Sequence, residues 1–534
     1  MASHMDTSLS RQANQQMRSE LTPLRSALYL ALTFALIKLA IEIVANILAQ
    51  HFGYGIFRDE LYYFVCGRHL AWGYVDQAPM AALQARVAEM LFGLHNQAMF
   101  RIFSELAGAV KIFLTGMLAW SLGGKRIAQV LAMIAVLFVP VYLGIDGYLS
   151  MNSFEPVFWM GCLLTVLWIA RGASPRWWLL FGILGGLGLL NKPSIAFFLV
   201  ALLVGLLLTP QRRLLWSPWV LAAVALLFLI SSPYLFWEMH HHWPTLEWLH
   251  NVNHSHKNVV LAPLPFLGAQ LMMLAPLSIF LLLPGLIWLF VAKAARNFRW
   301  IGAMFLVLLA IMIHLRAKDY YVAPVYPVLF AAGALAWQRM FSGSRKTAWL
   351  LPAWCGVLVI TGLLILPMGL PVLPPYTWIR YTTALHMKSG KTENAATGPL
   401  PQFYADRFGW KQMVAQVAQI YNSLSPADRA KAAIFCDNYG EAGAIDIYGP
   451  KYSLPQAISG HQNYFFWGPR GYTGEVMIIV GSSNSDLSQL FQSVQIVGHT
   501  NDPLAMPYEN KPIYLCRGLK EPLSVLWPKT KHWI

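Results

Sequence analysis

Residues 27–49, ALYLALTFALIKLAIEIVANILA, hold only Lys38 and Glu42 as charged groups in an otherwise apolar run. A bilayer core of roughly 30 Å needs about 20 apolar residues in a helix, so this stretch predicts a membrane span. Working outward, similar stretches recur near 102–122, 127–146, 154–170, 177–190, 195–209, 216–237, 265–291, 300–314, 320–338 and 347–368, which makes eleven candidate spans. The pair flanking Asn191-Lys192-Pro193 is the shortest. Composition agrees. Hydrophobic residues make up 57% and charged residues 12%, where soluble domains run about 25% charged. The 21 Trp suit a body with large membrane–water interfaces. Disorder, coiled coil and collagen are excluded, and five Cys are too few for a secreted disulfide scaffold.

A net charge of +15 invites a nucleic-acid reading, but its placement argues otherwise. MASHM at the start reads as a tag remnant, and 6–26 as a polar cytosolic tail. With the N-terminus inside, the inner loops carry Lys125/Arg126, Arg171/Arg176, Arg212/Arg213, Lys293/Arg296/Arg299 and Arg339/Arg345/Lys346, with no acid among them. This is the positive-inside pattern. Of the acids between 27 and 346, all but Glu42 are expected on or near the outer side. The basic excess is thus a topology signal, and no nucleic-acid partner is expected.

An odd number of spans leaves everything beyond about 370 outside. There the composition shifts to Gly, Pro, Asn and Ser, and β-rich runs at 432–436 and 475–481 alternate with helical patterns at 409–423 and 484–493. The expected fold is an α-helical integral membrane protein with about 11 transmembrane helices and a C-terminal extracytoplasmic α/β domain. Its parts are a tail (1–26), a transmembrane domain (27–369) and the outer domain (370–534). Cys436 and Cys516 form either a disulfide or two buried thiols on neighbouring strands.

Three outer segments hold most of the reactive side chains. The loop at 50–101 has helical apolar spacing and predicts one or two interfacial helices. Asp59 and Glu60 stand at its start, and Asp76 precedes Pro79. A carboxylate at a membrane edge can act as a general base when burial tunes it; the plainer alternative is a helix cap or surface charge. The segment 238–258 contains six His. His250, His254 and His256 with Glu247 offer ligands to a divalent ion, or form a solvated loop. At 314–327, Lys318 precedes aromatic and Pro residues. Lys318, Lys192 and Lys257 are placed to pair with a lipid phosphate or to anchor the membrane edge. The aromatic run Tyr464 to Trp467 with Tyr472 either stacks on a glycan or packs its own domain.

The motifs FRDELYY (57–63), GYVDQAPM (73–80), YLSMNSFEPVFW (148–159), GLLNKPS (188–194), WPTLEWLHN (243–251) and KDYYVAPVYP (318–327) occur in this order. Together they resemble the GT-C superfamily of polyprenyl-phosphate-sugar-dependent glycosyltransferases: the bacterial family-39-like and aminoarabinose-transferase-like enzymes, related to the protein O-mannosyltransferases. NYGEAGAIDIYG (438–449) and SGHQNYFFWGP (459–469) look like the C-terminal domain of some bacterial members. The resemblance implies sugar transfer from an undecaprenyl-type phosphate to lipid A, a glycan or a protein at the periplasmic face of the inner membrane, with inversion, by a monomer. It matches Asp59, with Glu60 beside it, to the catalytic base. It matches Asp76 to a site near the donor phosphate or a divalent metal (Mg, Mn or Zn), with His250, or in reserve His254 or His256, completing that site. Lys257, Lys318, Lys192, Arg58 and Tyr320 are implied as donor-phosphate ligands, and Asn152, Glu155, Tyr62, Trp243 and Glu247 as substrate contacts. Two departures bear on the metal: Asn152 and Gln77 stand where relatives carry Asp and His or Lys. The competing reading is a polytopic transporter or lipid flippase with an external accessory domain, against which stands the lack of paired halves with matching broken helices.

Overall fold

The computed structural model describes residues 23–387, 393–482 and 484–534; the tag remnant and most of the expected tail lie outside them. The chain is a multi-pass helical membrane protein with a small sheet domain at its C-terminal end. Among the described residues seven helices are long and apolar enough to cross a membrane, or up to ten if each of three bent pairs is one span.

Helix α1 (Leu24–His51) shows how the bundle is built. Its buried positions are Ala27, Ala31, Ala35, Lys38, Glu42, Ala45, Asn46 and Ala49, while Leu28, Leu32, Leu36 and Val44 face outward. Small and polar groups point inward and large apolar ones toward lipid, which lets helices approach closely where no water drives them together. Next along the chain come α2 (Arg58–Arg68) and α3 (Pro79–Phe92), where one or two interfacial helices are expected. On α3, Leu83, Met90 and Leu91 are exposed, an apolar stripe suited to the interface.

Two expected spans are broken and a third bends at its end. The stretch 127–146 divides at Val139-Pro140 with a bend of 66°, 195–209 continues into a turn at Pro210 at 116°, and 265–291 divides before Pro276 at 100°. Proline lacks the N–H that would continue each helix. The stretch at 177–190 forms a helix, Trp178–Asn191, of 14 residues, about 21 Å at 1.5 Å per residue and short of a full crossing.

One expectation about charge is corrected. Asp146 is not at an outer edge: both its oxygens accept from Lys111 Nζ at 2.8 Å, and Lys38 Nζ lies 3.1 Å away. Lys38 also pairs with Glu42, and all four side chains are buried. Unpaired charges at this depth are costly; here two cations and two carboxylates balance.

In the C-terminal domain, strands β1 (Ala432–Cys436), β2 (Val476–Val480), β3 (Phe491–His499) and β4 (Pro512–Leu519) form one sheet in the order β1-β2-β4-β3. β1 and β2 are parallel, the other pairs antiparallel. The helix expected at 484–493 ends at Leu490, where β3 begins. β2 lies between the strands of Cys436 and Cys516, so two strand spacings of about 4.8 Å separate them, beyond the roughly 7 Å reach of a disulfide. All five cysteines are free and buried.

The membrane part and this domain share one core. Leu61, Tyr62, Phe64 and Ala82 of the first loop cluster with Val414, Ile434, Ile445 and Val480. Helix α4 (Tyr439–Tyr448) of the domain lies directly on α2. Two glycines allow the approach: a Cβ on Gly440 would come within 2.5 Å of Arg58 Cγ, and one on Gly443 within 3.1 Å of Leu61.

Candidate active site

Where the helices meet the C-terminal domain, a cavity of about 400 Å³ opens, lined by five cations (Arg58, Lys192, Lys257, Arg316, Lys318) and three carboxylates (Asp59, Asp76, Glu393). The elements that bring them together start far apart in the chain.

Helix α2 begins at Arg58 because Glu60, at its third position, accepts from the Phe57 backbone N–H at 2.9 Å, and acids in a first turn suit the helix dipole. The same carboxylate accepts from two Arg101 nitrogens, Nε at 2.8 Å and Nη2 at 2.6 Å, and from the Leu149 N–H at 2.7 Å. Glu60 and Arg101 are fully buried and Glu60 does not line the cavity. Its oxygens are committed, so Glu60 holds α2 in place while Asp59, 29% exposed, faces the cavity.

Asp59 Oδ1 accepts from the Tyr439 hydroxyl at 2.7 Å and lies 3.7 Å from Arg58 Nε. Asp76 Oδ1 accepts from the Tyr62 hydroxyl at 3.1 Å. The loop carrying Asp76 is tied to the domain by Asn463, whose side chain accepts from Val75 N–H and whose backbone N–H donates to Tyr62. Burial pushes the Asp76 carboxyl up to about 7, against the pull of the Tyr62 bond.

Lys192 caps the C-terminal end of helix Trp178–Asn191 with extended backbone before Pro193, as a pre-proline residue prefers. Its ammonium donates to Asn152 Oδ1 at 2.9 Å and Glu155 Oε2 at 2.8 Å, and sits 4.3 Å from the Tyr321 ring centre and 5.5 Å from that of Tyr320. Asn152 and Glu155 thus serve Lys192; the buried Glu155, which also accepts from Ser194, supplies the charge partner. Burial lowers the Lys257 ammonium. Burial raises Glu393, but Arg58, Lys257 and Lys318 outweigh it and hold this carboxyl below its usual range. The cations converge on one region.

The expected metal set does not form. His250 and His254 lie exposed on the helix Pro244–His254 with ring centres 4.2 Å apart and planes tilted by 35°, and His256 is likewise exposed. None of the three lines the cavity that Asp76 faces. No group of three or more His, Cys, Asp or Glu converges among the described residues. Glu247 pairs instead with Lys531 at 2.7 Å, and Trp243 stands outside the cavity in a left-handed backbone conformation before Pro244.

Of the residues singled out in the sequence, Asp59, Asp76, Arg58, Tyr62, Asn152, Lys192, Lys257, Lys318 and Tyr320 line one cavity. Sequence reasoning missed Glu393, Arg316 and the domain's Tyr439 and Gln462. For Tyr439 a signal existed: Asn438-Tyr-Gly-Glu441 is a capping-box pattern, and it forms as such. The aromatic run packs within the protein: Tyr464 donates to Asp446 at 2.9 Å, and Trp467 stacks on His69 at 4.6 Å.

Residues 76–237 match the model of the dolichyl-phosphate-mannose-protein mannosyltransferase family. The fold is that of the crystal structure of ArnT from Cupriavidus metallidurans bound to undecaprenyl phosphate, with a TM-score of 0.59 and 15% identity over 90% of this chain and 97% of that one. The apo state of the same protein gives a TM-score of 0.57, with the same identity and coverage. No curated protein matches the sequence. The family match and the shared fold bear out the resemblance to the GT-C superfamily.

Proposed function

We propose that this chain is an integral membrane glycosyltransferase that moves a sugar from an undecaprenyl-type phosphate to an acceptor hydroxyl on lipid A, a glycan or a protein. The reading places it as a monomer in a bacterial inner membrane, N-terminus in the cytoplasm and C-terminal domain in the periplasm. The observation that carries it is the cavity in which three carboxylates face five cations where the membrane bundle meets the C-terminal domain. The ArnT of matching fold was crystallised with undecaprenyl phosphate, which supports a donor of that class here.

The chemistry follows from the charges. The donor brings its phosphate to Lys192, Lys257, Lys318 and Arg58, with its chain in the membrane. The acceptor oxygen attacks the anomeric carbon, forming the new glycosidic bond, and the carbon–oxygen bond to phosphate breaks. The electron pair departs on the phosphate oxygen, where preorganised cations stabilise the developing charge. Asp59 takes the acceptor's proton as general base. A single displacement inverts the anomeric centre.

Mass spectrometry of co-purifying lipids, compared between wild type and Asp59→Asn, tests this. A polyprenyl phosphate or its sugar conjugate is expected, with the intact conjugate building up in the variant and turnover reduced about 10²–10⁴-fold. Bulk phospholipid alone in both, with no sugar transferred by the wild type, sinks the proposal.

A further inference from the structure

We propose that Tyr439, a residue of the C-terminal domain, is a positioning residue for Asp59: its phenol fixes the rotation of the carboxylate that takes the acceptor's proton. This rests on the reading of Asp59 as the base.

Asp59 stands in the first turn of α2, where terminal rotation of an Asp carboxylate is soft, so something outside α2 must set its orientation. Tyr439 donates to Oδ1 at 2.7 Å, and the Arg58 contact falls on the same oxygen. Oδ2 is therefore the oxygen left for an incoming hydroxyl. Tyr439 itself has little freedom. It is the first residue of α4, held by Asn438 accepting from Gly440 and Glu441 N–H at 2.8 and 3.0 Å. Its backbone N–H donates to His461 Nδ1 at 3.2 Å. Its ring packs 4.9 Å from the rings of both Tyr62 and His461, with the Arg58 guanidinium 5.5 Å away. A rigid donor on a soft acceptor decides the acceptor's geometry, and small misplacements at a reacting centre cost rate steeply.

The hydroxyl is not what docks the domain. Docking is served by Gly55 N–H and Arg58 N–H donating to the Arg407 and Asp406 carbonyls, by Asn463 on the Asp76 loop and by the shared apolar core. Removing one oxygen leaves all of these in place, which separates a positioning role from a structural one.

The test is Tyr439→Phe in the full-length protein, with kcat, the KM for a polyprenyl-phosphate sugar, the affinity for undecaprenyl phosphate, and thermal stability all measured. The expected result is a kcat lowered about 10- to 100-fold, with KM, lipid affinity and stability essentially unchanged. In an Asp59→Ala background the tyrosine substitution is expected to have no further effect, because residues that act through one another are non-additive. A near-normal kcat in Tyr439→Phe while Asp59→Ala is inactive overturns the tyrosine proposal alone. So does a loss that multiplies with Asp59→Ala, or one in which kcat, lipid affinity and stability fall together. An Asp59→Ala protein with full turnover removes the base assignment, and the tyrosine proposal with it.

Discussion

Replacing Asp76 with Asn isolates what it costs to bury a carboxylate at the edge of the cavity. Burial raises this group from 3.8 to about 7. The folded protein then binds the proton more tightly than the unfolded chain, so stability falls as pH rises. The loss starts above 3.8, where the unfolded chain ionises, and levels off once the folded carboxyl has ionised, above about 7. The full shift of about three units corresponds to about 4 kcal/mol, of which about 1.4 kcal/mol falls between pH 6 and pH 8. Unfolding wild type and Asp76→Asn in the same detergent at both pH values, and taking the difference, cancels groups common to the two proteins. Wild type is expected to lose about 1.4 kcal/mol more than the variant over that interval. Equal pH dependence in the two proteins refutes the reasoning, because it requires an Asp76 that ionises as freely in the fold as in water.

Glu60→Gln is expected to destabilise the protein by about 3–5 kcal/mol, the cost of leaving a buried Arg101 without its charge partner, measured as loss of folded protein in a thermal ramp. Lys257→Met and Lys318→Met are each expected to weaken undecaprenyl phosphate binding about tenfold by removing one charge-assisted contact; unchanged affinity in both would count against the phosphate site. Combined His250→Ala, His254→Ala and His256→Ala is expected to leave turnover within about twofold, since these rings are exposed and outside the cavity; assay of the triple variant checks it.

The helical body was legible in the sequence because lipid demands long apolar runs. The charge asymmetry of the loops added an expected topology. The breaks at Pro140, Pro210 and Pro276 also carried a signal, since each proline stands in the interior of an apolar run or at its end, but hydropathy averaged over a window passes over a single missing N–H. Asp59, Asp76 and the three lysines stood out because charge is scarce in this chain. What failed was range. Lys111 looks like an isolated charge, and Lys38 like the partner of Glu42 alone, until the fold brings Asp146 between them. Glu60 sits beside Asp59 in sequence, yet a helix turns successive side chains about 100° apart, so one faces the cavity and the other Arg101. The His-rich segment looked like a ligand cluster by composition, but its closest pair, His250 and His254, meets no third ligand among the described residues. No local pattern could place Tyr439 against Asp59, 380 positions away.

That separation also has a bearing on biosynthesis. Helix α2 leaves the ribosome with Leu61, Tyr62 and Phe64 destined for a core whose other half starts only at Trp410. At about 5–20 residues per second, the first loop waits roughly 20–75 seconds for its partner. During that interval its apolar face is covered only by lipid, by the neighbouring helix α3 or by a chaperone. Shortening the wait is not open to this architecture, because the strands that complete the core follow all the spans in the chain. Variants that slow translation of the strand-bearing residues 432–519 should therefore fail first as misassembled first loops, cleaved near α2, rather than as unfolded sheet domains.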